Sequence, residues 1–353
     1  MSFAASAFAI HAEIPAETQA IVAVGTTQIM LGGEVRTRGW WRDNLFAGIG
    51  VDEVPDPNFP GKTHDVSASS WYDQRIRLSV DAKISPNVQG FVQLESSGTG
   101  QDNTNDKYVW GTSGGNSGFS NAHPESDLQF LQAWIQYTGS GLFGFPIGLK
   151  VGHMPLKLSY GQFFDHTQMG DDAVVFFMDP TKQLHIGLLT IKLAEGSTAQ
   201  QQDDLDAYVG LFTYKFSDAI KLGANYTYLN NSDLGFGQQN LGVHADGKIA
   251  GFGYKAAFDY QFGQVLEDTP IEADFGGWAA ALNLDYNINP VTIRGAFVYG
   301  SGDDEFDDDI DEFTPYVGNI QNYSFIYEYQ ARTTAFNKTG VLNPATPSNG
   351  HAS

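Results

Sequence analysis

Arg36 and Arg38 lie two residues apart, and so do Arg75 and Arg77. In an extended chain, side chains two residues apart share a face. Each pair therefore sets two guanidinium groups side by side. A planar guanidinium donates two parallel hydrogen bonds to a carboxylate or phosphate, so the chemistry on offer is recognition of anions. Lys83, Lys255 and Arg294 share this parity within their own segments. So do the acids Glu34, Asp73, Asp81, Asp259 and Asp285. These residues are the expected lining of a wet surface. Two uses are open: an anion-selective constriction, or a ladder of internal ion pairs that only scaffolds.

Other chemistry is thinner. The run from Asp303 to Glu312 holds eight acids in ten residues. Oxygen ligands from Asp303, Asp304, Asp307, Asp308 and Asp309 could hold Ca²⁺, or divalent ions that bridge lipopolysaccharide. The run lacks the spaced ligands and glycine of a Ca²⁺ loop, so a solvated, self-repelling loop is the leading expectation. His153, Ser159, the pair Asp165-His166 and His185 are residue types used by hydrolases. Their spacing puts no nucleophile beside a base, and no glycine-framed serine occurs. Neither Gly251-Phe-Gly253 nor Gly111 to Gly115 is followed by the lysine of a phosphate loop. The expectation is a protein that is not an enzyme and holds no organic cofactor. A net charge of −22 argues against nucleic acid as a partner.

The elements that must carry the charged face are long strands. From Trp71 to Ile84, Tyr72, Ile76, Leu78, Val80, Ala82 and Ile84 alternate with Asp73, Arg75, Arg77, Ser79, Asp81 and Lys83. Ordinary strands run about five or six residues. One more than twice that length, apolar on one face and charged on the other, suits a wall between lipid and water. Similar segments are predicted at 27–41, 88–96, 127–138, 145–158, 172–178, 184–193, 204–216, 219–229, 240–248, 251–262, 276–286 and 291–299. That makes about thirteen strands, with short turns tending to alternate with long loops such as 97–125. Trp40, Trp41, Trp71, Tyr72, Tyr137, Tyr214, Phe216, Tyr226, Tyr228, Tyr260, Phe262, Tyr286 and Tyr299 sit near their ends, as membrane-interface aromatics do. No run of eighteen apolar residues occurs, which excludes a transmembrane helix but not a barrel. A β-sandwich has shorter strands, and no fixed repeat marks a propeller or β-helix. Cysteine is absent, as suits an envelope protein.

Several segments resemble the alginate-export family of outer-membrane β-barrels and its porin-like relatives. They are Asn240 to Gly263, Gly277 to Leu282, Tyr299 to Asp304, and Val151-Gly-His-Met-Pro-Leu-Lys-Leu-Ser-Tyr-Gly161. In the last, His153 stands where the family usually has arginine. The resemblance spans roughly residues 27–330 and implies an all-β, transmembrane, antiparallel up-and-down barrel in the outer membrane of a Gram-negative bacterium. The function implied is a porin or channel for passive diffusion of hydrophilic small solutes or saccharides, with lipid and lipopolysaccharide as partners; the family motifs specify the barrel better than the cargo, and it is the lumen cations that would favour anionic solutes such as uronate-type sugars or carboxylates. The alternative is a structural or interaction barrel, a sheath or anchor for a partner protein.

Four regions follow. Residues 1–12 read as the tail of a signal peptide, with Ala7-Phe-Ala9 as a small-residue cleavage site. Residues 13–26 are an N-terminal segment, 27–300 hold the barrel strands, and 301–353 an acidic loop and an incomplete C-terminal part. Thirteen is an odd count for a bacterial barrel, so 14–18 strands are expected in the intact protein. The missing strands either lie beyond the sequence or are supplied with help from residues 313–332.

Overall fold

The computed structural model describes residues 20–24, 27–42, 53–55, 63–65, 69–98, 108–109, 126–141, 144–167, 169–196, 204–232, 234–266, 272–302 and 309–317. Among these the chain is all-β, without a helix, and its long strands pair antiparallel. It divides into two compact units, one of Met1–Lys83 with Phe91–Phe130, the other of Ile84–Gly90 with Leu131–Ser353.

The first unit is built on β1 (Ala20–Val24), β2 (Thr27–Arg42) and β5 (Ser69–Ser85), with a small hairpin of β3 (Glu53–Pro55) and β4 (Thr63–Asp65). β2 pairs with β1 on one edge and with β5 on the other. β6 (Val88–Gly98) and the short β7 (Tyr108–Val109) also pair with β5, and β8 (Ser126–Gly139) begins in this unit. The alternation expected over 71–84 is realised: Leu78 is 55% exposed, whereas Arg75 between the apolar positions is buried.

In the second unit, β8 is followed by β9 (Ile147–Met154), β10 (Phe164–Asp165), β11 (Asp171–Met178), β12 (Leu184–Ala194), β13 (Leu205–Lys215) and β14 (Lys221–Asn231). Then come β15 (Phe236–Ile249), β16 (Phe252–Val265), β17 (Ala273–Phe275), β18 (Trp278–Ile288), β19 (Val291–Gly300), β20 (Asp309–Ile310) and β21 (Tyr316–Val317). The long strands pair in chain order, β8 with β9, β9 with β11, and on through β12 to β16, β18 and β19. Each meets its sequence neighbour across a short turn or loop, the up-and-down arrangement. Strands of eight residues or more number thirteen among the described residues.

One face of this sheet is apolar yet open. Leu149, Val174, Leu188, Phe212, Leu241, Phe258, Leu282 and Phe297 are all exposed. Tyr226, Leu241, Tyr260 and Trp278 follow one another across β14, β15, β16 and β18. Near the other strand ends Phe252 stacks on Tyr286, 4.3 Å between centroids, and Tyr214 meets Phe216 edge-on at 4.6 Å. Phe252 and Tyr260 are eight residues apart on β16, about 27 Å at the usual antiparallel rise. The side chains of Trp40, Trp41 and Trp71 lie outside the described set.

Two boundaries differ from expectation. The segment read as a strand over 145–158 leaves the sheet after Met154. Pro155 has no N–H to give to a ladder, and Ser159 and Gly161 take left-handed backbone conformations, φ 49° and 78°. The strand expected over 240–248 starts earlier, at Phe236. Gly235 and Gly237 read as loop, but Asn230 and Asn231 pair directly with Gly237 and Phe236.

Candidate functional site

In the first unit, the β2–β5 register sets charge against charge. Glu34 lies opposite Arg77, Arg36 opposite Arg75, Arg38 opposite Asp73, and Gln28 opposite Lys83. The Arg75 guanidinium donates to Glu34 at 2.5 Å and lies 4.0 Å from Glu95. Arg77 donates to Glu95 and lies 3.8 Å from Glu34. Glu95 is 6% exposed. Two arginines thus share two carboxylates, close to charge balance. Sequence reasoning named Glu34 but missed Glu95. Its parity was available: Val92 and Leu94 alternate with Gln93 and Glu95 in a strand already assigned.

The second unit has a polar face opposite its apolar one. Asn225, Thr227, Gln238, Asn240, Asp259 and Gln261 are all buried there. What buries them is the segment between β9 and β11. It folds back over this face and is fastened by polar contacts. The Ser159 hydroxyl donates to Asn225 Oδ1 at 2.6 Å and lies 3.0 Å from His244 Nδ1. Tyr160 donates to Asp246 at 2.9 Å, and burial with that carboxylate pushes its phenol well up, so it stays a donor. Gln162, with its amide nitrogen toward Asp259, lies 3.2 Å from Oδ2 of that acid.

A second segment joins it. β21 pairs in parallel with β10, Tyr316 beside Phe164. Gln261 grips the Thr314 peptide from both sides, accepting from its N–H at 2.9 Å and donating to its C=O at 2.8 Å. Phe163, Phe164, Leu158 and Tyr316 then form an apolar cluster with Ile191, Val209 and Leu229 of the strands. Gly277 makes room for this second segment. A Cβ there would come 2.8 Å from Phe313 Cα and closer still to the Glu312 carbonyl. Gly277→Ala is therefore expected to lift residues 312–316. The check is faster amide exchange at Thr314 and Tyr316 while the β15–β16 ladder stays protected.

Asp165 pins the first segment. It accepts from Lys157 at 2.7 Å and from the Thr167 hydroxyl and amide. Burial alone would raise its carboxyl, but these donors outweigh it and hold the carboxyl below the usual carboxylate range. A depressed folded-state value stabilises at pH above the unfolded value, and that contribution is lost as pH falls through the folded one. Protection of the Leu158 and His166 amides is expected to be level from neutrality to about pH 5 and to fall in stronger acid. Asp165→Asn should flatten that acid limb.

The other sequence-named residues are placed as follows. Lys255, Asp259, Asp285 and Arg294 share the polar face, with Asp285 directly opposite Arg294 and Lys255 opposite Asp246. Asp259 accepts from Asn240 at 3.0 Å. The Lys255 ammonium stands 5.6 Å from the Tyr160 ring centre. Asp81, opposite Met30, keeps the polar parity of β5. His153, His166 and His185 each face an acid, Asp172, Asp171 and Asp179, at 2.8–3.0 Å. Asp303, Asp304, Asp307 and Asp308 lie outside the described residues, and Asp309 is exposed. No group of three or more metal-ligating side chains occurs among the described residues.

No protein-family profile matches the chain, and no curated protein is significantly similar to it. Three solved structures are similar at low identity. Salmonella typhi OmpF, in complex with daunomycin, is 11% identical with a TM-score of 0.37 over 82% of this chain and 94% of that one. The outer membrane channel DcaP of Acinetobacter baumannii is 13% identical with a TM-score of 0.36, over 79% and 92%. A mutant of Rh. blastica porin is 12% identical with a TM-score of 0.32, over 76% and 94%.

Proposed function

We propose that the chain is a bacterial outer-membrane channel, an up-and-down barrel through which hydrophilic solutes diffuse past a charged lumen. The observation that carries this is the pairing of two faces on one sheet. Phe258, Leu282 and Phe297 are 42%, 39% and 60% exposed, while Asn240, Asp259 and Gln261 on the reverse are buried and hydrogen-bonded. In water, so continuous an apolar surface would aggregate. In lipid it is the favourable side, and aromatics at both ends of the strands mark the interfaces. The alginate-export resemblance adds the hairpin over 240–263, which is β15 and β16.

The finer reading, a preference for anionic solutes, rests on Lys83, Lys255 and Arg294. They keep the polar parity, and no ion pair holds them among the described residues. The arginine cluster contributes less, because Glu34 and Glu95 balance it. Purified protein in a planar bilayer should give discrete single-channel currents, and absence of any current would sink the reading. With a KCl gradient, Lys255→Ala with Arg294→Ala should move the reversal potential toward cation preference; no movement removes those residues from selectivity. The folded-back segments favour a second reading, a structural barrel that conducts little. That reading predicts a membrane-inserted protein without current, even after the segments are loosened.

A further inference from the structure

We infer that the covered polar face holds a site for the ammonium terminus of a short extended peptide, centred on Asp259. As a solute class for the proposed channel this rests on that reading; the site itself does not. Asp259 is 2% exposed. Its carboxylate accepts from the Asn240 amide at 3.0 Å and faces the Gln162 amide nitrogen at 3.2 Å. Among the described residues no cation pairs with it. Lys255 shares its strand face but lies four residues away, about 14 Å at the usual antiparallel rise. A carboxylate taken out of water is costly in its ionised form until a positive charge joins it.

The surroundings select the form of that charge. Register sets Asn225, Gly242 and Asp259 in one row across β14, β15 and β16. Gly242 has no side chain, so its neighbours lean over it. An added Cβ would stand 2.6 Å from Asp259 Oδ1 and 2.7 Å from Asn225 Oδ1. Oxygen atoms therefore line this gap. Asn240, fully buried, gives its nitrogen to Asp259 and leaves its own Oδ1 without a partner. A positive group with several N–H donors answers both needs, and a primary ammonium has three. It would replace the Gln162 amide at Asp259 Oδ2 and donate to Asn240 Oδ1. A metal ion suits the site less, because Asn240 and Gln162 both present N–H to the carboxylate.

The peptide follows from the next rows. Gln261 is two residues from Asp259 on the same face, about 7 Å along the strand. It already holds a peptide unit, that of Thr314, by both its N–H and its C=O. In the row after that Gln238, fully buried, keeps Oε1 unpartnered. Groups two residues apart in an extended peptide repeat at the same spacing. A peptide with its amino terminus at Asp259 therefore brings a peptide unit to Gln261 in place of Thr314, and a further N–H toward Gln238. The segment around Thr314 stands where the solute would lie.

Calorimetric titration of the detergent-solubilised full chain at neutral pH, with trialanine amide, N-acetyl-trialanine amide and methylamine, tests this. Trialanine amide should bind, and acetylation, which removes the charge, should weaken binding at least about tenfold. Methylamine brings the ammonium alone and should bind more weakly than trialanine amide. Asp259→Asn should abolish the difference between the free and acetylated peptides. Gly242→Ala, which fills the gap, should weaken trialanine amide. Equal binding of the free and acetylated peptides to the unaltered chain overturns the ammonium site, and needs no variant to fold. Methylamine bound as tightly as trialanine amide overturns the peptide part. No binding of any probe, either to the unaltered chain or to Phe164→Ala, which removes a buried anchor of the cover, overturns the whole inference. Binding by a chain that passes no current keeps the site and overturns the channel reading; current without binding does the reverse.

Discussion

Phe164→Ala is expected to free the folded-back segment and raise single-channel conductance. Phe164 is fully buried, packed against the His166 ring at 4.4 Å and next to Tyr316 through the β10–β21 bridge. Truncating a buried phenylalanine costs about 3–5 kcal/mol. The strand ladders do not depend on this side chain, so the loss falls on the segment. The backbone bonds Leu158 N–H to Phe164 O and Tyr316 N–H to Phe163 O are the ones at risk. At 1.4 kcal/mol per factor of ten, about 3 kcal/mol means roughly a hundredfold faster exchange at those two amides. Conductance should rise because the polar face of β14–β16 becomes wet. Unchanged exchange at Leu158 and Tyr316 would mean that Ser159, Tyr160 and Gln162 hold the segment without the apolar cluster.

Glu95→Gln should produce the second large effect, and in the first unit. The substitution removes the carboxylate to which Arg77 donates and which lies 4.0 Å from Arg75. Removing one partner of a buried ion pair costs about 3–5 kcal/mol because a charge is left uncompensated. Glutamine still accepts a hydrogen bond, so the lower end, about 3 kcal/mol, is expected. The urea midpoint for unfolding should drop. The reversal potential in a KCl gradient should move toward anions, since a net positive charge now stands on the polar face. Glu95→Asp, which keeps the charge, should retain selectivity even if stability falls. A variant with lower stability but unmoved reversal potential would make the cluster a scaffold.

These two cases differ in how far the sequence exposes them. The charged face of β5 is written in period two, since alternation over fourteen residues needs only local geometry. The same rule placed Arg36 and Arg38 on β2, and the register then set them opposite Arg75 and Asp73. Glu95 was hidden for a different reason. In isolation it is one acid in an ordinary strand, and its role appears only when pairing brings it within reach of two guanidinium groups. The partnership of Ser159 with Asn225 and His244 spans 66 and 85 residues, and local spacing holds no trace of it.

The sequence by itself determined the class of this protein: long amphipathic strands, one face apolar, one charged, with aromatics near their ends. Those are properties of single strands, and the two-residue period of the backbone enforces them. Only the tertiary structure decided what occupies the polar face. Pro155 and the left-handed residues Ser159 and Gly161 end β9 early, and the freed segment meets a second one at Tyr316. Periodicity could not foresee this, because burial of Phe163, Phe164 and Tyr316 requires a surface that exists only after β11 to β18 have paired. The strand pattern follows from local sterics. The cover over it follows from apolar area removed from water at long sequence separation, and that is a property of the assembled sheet.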